Sequence, residues 1–148
     1  MFDMMIAGLA LLVSVINVVL YFRLQGKYNE MTKTQMLTAQ GAVETQVRNS
    51  ISDANKEVLH YATEVEKNPS SKVTQQAYFT AEEMYRNAYE DACAKYLDRK
   101  IDVERFEKMY KQEIYKLVND PKQKEFYATN QTTYASTVAV YKSWFSQS

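Results

Sequence analysis

Few side chains in this sequence could do chemistry. In 148 residues there is one imidazole, His60, and one thiol, Cys93. A structural zinc site takes four nitrogen or sulfur ligands, so this pair cannot supply one, and a lone Cys excludes an intramolecular disulfide framework. Nucleophilic catalysis would require His60 and Cys93 to meet. His60 instead stands between Glu57 and Glu64 at helical spacing, which reads as a solvated ion-pair neighbourhood. Cys93, beside Ala92, reads as a small buried residue.

The carboxylates Glu82-Glu83, Glu90-Asp91 and Asp98 invite an acid/base reading, which needs facing pairs in a cleft. They alternate with Arg86 and Lys95 at i,i+3 and i,i+4 spacing, the pattern of an exposed helix face. Asp98, Asp102 and Glu104 lack the spacing and central Gly of a calcium loop, so capping is the better account. The tyrosines from Tyr78 to Tyr141 could stack on bases. Stacking proteins also carry a basic groove, whereas here 18 acidic side chains balance 18 basic ones. Nucleic acid is therefore not an expected partner. No Gly-rich phosphate loop, G-x-S-x-G or H-E-x-x-H motif occurs. No enzyme activity, cofactor or metal is expected.

Three Gly and two Pro are too few for a turn-rich β protein, which leaves an all-α chain. Its apolar residues are unevenly placed, because 46% of residues are hydrophobic while the mean hydropathy is −0.47. Met4–Phe22 holds nineteen consecutive uncharged residues between Asp3 and Arg23. As a helix that segment is about 30 Å long, the thickness of a bilayer core. The n-region Met1-Phe2-Asp3 and the bulky exit Tyr21-Phe22-Arg23-Leu24 do not fit a cleaved signal peptide. A signal anchor over residues 1–22 is expected. Arg23, Lys27 and Lys33 flank its C-terminal end, so the positive-inside rule places the N-terminus outside and the remainder in the cytoplasm.

No strong breaker follows until Asn68-Pro69, which predicts a helical, coiled-coil-like stalk over residues 23–67. Positions 7, 10, 14, 17, 21, 24, 28, 31, 35, 38, 42 and 45 alternate steps of three and four, as a heptad seam does. Ala7, Ser14 and Asn17 are small or polar inside the bilayer, and such residues let helices approach and hydrogen-bond. A homo-oligomer seam is expected there. Beyond it the stripe moves to Val43, Val47, Ile51, Ala54, Val58 and Val65, a stutter-like shift. A helix over 43–66 with that stripe needs a partner, either another copy or the C-terminal helices.

Residues 68–148 read as a helical head. Ser70 or Ser71 caps a helix from Lys72 to about Leu97, with Val73, Ala77, Ala81, Met84, Tyr85, Ala88, Ala92 and Tyr96 on its apolar face. Asp102 caps a second, Val103 to Val118, burying Val103, Phe106, Tyr110, Ile114 and Leu117. Asp120-Pro121 starts a final helix, roughly Lys122 to Phe145. Short connections favour an antiparallel three- to four-helix bundle. Tyr141, Trp144 and Phe145 are the expected interaction surface, since Tyr and Trp are enriched at interfaces. The expected role is a single-pass membrane protein whose head scaffolds an unidentified protein partner. Two alternatives are an extracytoplasmic sensory or ligand-binding module of inverted topology, and a toxin-like membrane-perturbing protein.

Overall fold

The computed structural model describes residues 2–128 and 132–146, with side chains from residue 14 onward. Among the described residues five helices follow in order: α1 (Phe2–Lys67), α2 (Lys72–Leu97), α3 (Val103–Asn119), α4 (Lys124–Tyr127) and α5 (Ala135–Phe145). No strand occurs among the described residues. The chain divides into two compact units, Met1–Ala39 and Gln40–Ser148.

The N-terminal unit is helix alone. Residues 14–31 are all exposed, including Val15, Ile16, Val18, Val19 and Leu20. Its threonines are satisfied locally: Thr32, Thr34 and Thr38 each donate to the carbonyl four residues back, at 2.9 Å. Among the described residues no helix is long and apolar enough to cross a membrane. The expected span Met4–Phe22 therefore gains no support here, and the side chains of its first ten residues lie outside the described set.

The C-terminal unit begins within α1 and so takes in the 43–66 stretch. Val47, Ile51 and Ala54 are buried in the same apolar cluster as Ala88, Phe106, Ile114 and Val140, with Val43 packed against it. Of the two partners expected for that stripe, the structure supplies the helices of its own chain. Glu44 fastens the contact. Its carboxylate accepts the Asp102 backbone N–H at 2.9 Å and pairs with Arg105 at 2.7 Å.

Caps fix the starts of α2 and α3 as the sequence predicts. The Ser71 hydroxyl accepts the Thr74 N–H at 3.3 Å, and Asp102 Oδ1 accepts the Arg105 N–H at 2.9 Å; each satisfies an otherwise orphaned donor. α2 ends in a Schellman turn. Lys100 N–H bonds to Lys95 O at 2.9 Å and Arg99 N–H to Tyr96 O at 3.0 Å. That turn holds Arg99 at φ 55°, a conformation glycine adopts more readily, and it swings Ile101 into the core.

The last expected helix is broken. Lys122–Phe145 is not continuous: α4 is one turn, and α5 starts only at Ala135. Local side chains outcompete the helix here. Asp120 Oδ1 takes the Lys122 N–H at 2.8 Å. Thr132 Oγ1 donates to Phe126 O at 2.5 Å and accepts the Tyr134 N–H at 3.0 Å. The break changes which residues are inside. Tyr127, Tyr134, Thr137 and Val140 are buried, while Phe126 stays exposed. On α2, Val73 and Met84 are likewise exposed, and Arg86 and Tyr89 are buried instead.

Candidate functional site

The head's polar chemistry is concentrated where α2 meets α3 and the segment after it. Arg86 is only 6% exposed. Its Nη1 donates to Gln123 Oε1 at 2.7 Å and its Nε to Tyr134 Oη at 3.2 Å. The guanidinium carbon lies 4.0 Å from the centre of the Phe126 ring. No carboxylate lies within ion-pair distance among the described residues. Neutral acceptors and aromatic faces thus carry this buried cation, as they can when a flat guanidinium stacks. Gln123 continues the network through Nε2 to Glu82 Oε1 at 3.2 Å, and Tyr78 donates to the same oxygen at 2.8 Å.

Beside that network lies an open pocket of about 340 Å³, with Val58, Tyr78, Glu82, Tyr85, Lys116 and Gln123 among its walls. Burial, then the Glu82 hydrogen bond and the Asp120 charge, push the Tyr78 phenol up to about 12. Burial also raises Tyr85. Tyr89 is raised further, by burial and by donating to Glu113 Oε2 at 2.5 Å. These phenols are donors that stay protonated, so the pocket offers hydrogen bonds rather than a base.

Glu90 has a different task. Its two oxygens accept the Ser136 N–H at 2.8 Å, the Thr137 N–H at 2.9 Å and the Thr137 hydroxyl at 2.9 Å. A carboxylate from α2 therefore caps α5 across the bundle, where it also complements the helix dipole. Sequence spacing had placed Arg86 and Glu90 on an exposed face; both work inward. Their partners lie 37 to 48 residues away in sequence, beyond the reach of a periodicity argument.

The remaining candidates fall as follows. His60 is exposed, its ring edge-on to Tyr61 at 4.9 Å. Cys93 is fully buried, and burial, reinforced by the Glu90 carboxylate, pushes its thiol up to about 12. His60 and Cys93 are not brought together in any contact among the described residues. No group of His, Cys, Asp and Glu side chains among those residues is arranged to hold a metal.

Tyr141, Trp144 and Phe145 are each half-buried. Trp144 Nε1 donates to Tyr96 Oη at 3.0 Å, and Phe145 meets Tyr115 at 5.2 Å. The three close one end of the bundle and keep part of each ring outside. Of the expected membrane seam, Ser14 and Asn17 are exposed; the side chain of Ala7 lies outside the described residues.

Fold and site define a small all-α protein with a helical head. Comparison with protein-family models, curated proteins and solved structures finds no match to this chain.

Proposed function

We propose that the chain is a non-enzymatic, single-pass membrane protein whose helical head scaffolds a protein partner, with copies associating in the bilayer. The observation that carries this reading is the exposure of residues 14–31 on every side of the helix. Val15, Val18, Val19, Leu20 and Phe22 have no protein cover. A helix apolar all round is stable only inside protein or lipid, and the sequence extends that character back to Met4. Arg23, Lys27 and Lys33 favour the cytoplasm for the residues that follow. Ala7, Ser14 and Asn17 supply the seam between copies, and Tyr141, Trp144 and Phe145 offer their exposed edges to the partner. A non-enzymatic role draws support from Cys93, whose buried, protonated thiol is no nucleophile.

A topology experiment tests the proposal. Cys93 is buried and a poor reporter, so an exposed Ser70→Cys in a Cys93→Ala background is labelled with an impermeant thiol reagent. The expected result is a full chain that resists carbonate extraction from membranes and is labelled only after permeabilisation. Recovery in the supernatant overturns the anchor.

The pocket of about 340 Å³ favours one second reading, an extracytoplasmic module that holds a small ligand between helices. Labelling of Ser70→Cys in intact cells would select it.

A further inference from the structure

The pocket of about 340 Å³ beside the Arg86 network carries its charges in a definite order. On α3 and its C-cap, Glu113, Lys116, Leu117 and Asp120 line it, at the i, i+3, i+4 and i+7 positions of one helix face. Glu113 and Asp120 therefore stand at opposite ends, about 10.5 Å apart along the axis. On α2, Tyr78 and Tyr85 line the pocket with the same seven-residue separation. The ends match across it. The charges of Glu82 and Asp120 reach Tyr78, and that of Glu113 reaches Tyr85, each adding to the effect of burial on the phenol.

Each end offers a carboxylate that is held but not neutralised. Glu113 Oε2 accepts the Tyr89 hydroxyl, Glu82 Oε1 accepts from Tyr78 and Gln123, and Asp120 Oδ1 accepts the Lys122 N–H. None of the three has an ion-pair partner among the described residues, and they do not converge on a metal site. Between the ends the lining is apolar, from half-buried Val58 and buried Leu117. Lys116 stands exposed between the two ends, and Lys122 is exposed beyond Asp120. Acids at both ends of an apolar trough complement methylenes with an ammonium group at each end.

We infer that this pocket binds a linear aliphatic diamine, with one ammonium group at Glu113 and the other at Glu82 and Asp120. The inference rests on the reading of this pocket as a small-molecule site and holds for either topology of the head. Exposed ion pairs are individually weak. Affinity therefore comes from engaging both ends at once while the methylenes cover Val58 and Leu117, and chain length sets the specificity.

Isothermal titration calorimetry on the full chain in uncharged detergent micelles at low ionic strength tests it, with cadaverine as the probe. One cadaverine per chain is expected, bound about fivefold or more tighter than pentylamine, which lacks one charge, or ethylenediamine, which is too short. Glu113→Gln keeps an acceptor for Tyr89 and weakens cadaverine about threefold to fivefold. Lys116→Gln, at an exposed position, tightens it, an opposite sign that a merely structural effect would not give. Pentylamine or ethylenediamine binding as tightly as cadaverine, or Lys116→Gln weakening it, overturns the inference. Binding of the dicarboxylate glutarate instead of cadaverine overturns the diamine and keeps the pocket as a ligand site. No heat with any of the four compounds overturns the inference as well.

Discussion

Two stretches of helix, residues 14–31 of α1 and residues 103–119 of α3, solve opposite problems with similar side chains. In α3 the apolar residues fall on one stripe, and Phe106, Tyr110, Ile114 and Leu117 are all buried. Each such burial is worth about 1.5–3 kcal/mol. In residues 14–31 the apolar residues surround the helix and every one is exposed. The first pattern describes a segment stabilised from within the molecule. The second describes a segment whose apolar side chains this structure leaves exposed.

Alkali breaks that comparison most completely. The phenols of Tyr78, Tyr85, Tyr89 and Tyr110 and the Cys93 thiol are all raised, chiefly by burial. For a group whose native pKa lies above its unfolded value, the stabilisation is complete below the unfolded pKa and is lost as pH rises towards the native one. Phenols ionise near pH 10 when unfolded (approximately). The head should therefore lose its near-UV circular dichroism cooperatively between about pH 10 and pH 12.

A matched pair of truncations sharpens it. Ile114→Ala, at a fully buried site, should cost the head about 2–5 kcal/mol in urea unfolding monitored by near-UV signal. Val15→Ala should leave the same midpoint unmoved. Equal losses would mean that the two regions share one core.

Polar contacts of the head give the next effects. Arg86→Ala strands Gln123 and Tyr134 and removes the stack on Phe126, for an expected loss of about 2–3 kcal/mol. Glu90→Ala uncaps α5 and should cost about 1–2 kcal/mol. Hydrogen exchange at the amides of Ser136 and Thr137 would accelerate with it, whereas α3 amides would change only with global stability.

Arg99→Gly is the smallest effect and has the opposite sign. Relief of the left-handed backbone is offset by the greater freedom of glycine in the unfolded chain, so a gain of up to about 1 kcal/mol is expected. The thermal midpoint reads it.

Much of the scaffold was legible in the residues themselves. Lys72–Leu97 and Asp102 as the cap of α3 follow from caps and turns that act within a few residues of sequence. The stripes Val47–Ile51–Ala54 and Phe106–Tyr110–Ile114–Leu117 follow from a 3.6-residue period. The functional candidates were less legible. Arg86 and Glu90 match the spacing of a solvated face, and only their distant partners turn them inward. Tyr127 was missed because α4 is a single turn ending there, and Thr137 because α5 starts only at Ala135.

By itself, then, the sequence determined where α2 and α3 start, which stripes are apolar, and that Met4–Phe22 is uncharged throughout, since these are properties of residues close together in the chain. The tertiary structure alone decided that residues 40–67 join the head. It also gave the last helix its late start under Glu90 and lined one pocket with Tyr78 and Glu82 of α2 together with Glu113 and Asp120. Those outcomes depend on side chains far apart in the chain, whose meeting no local spacing encodes.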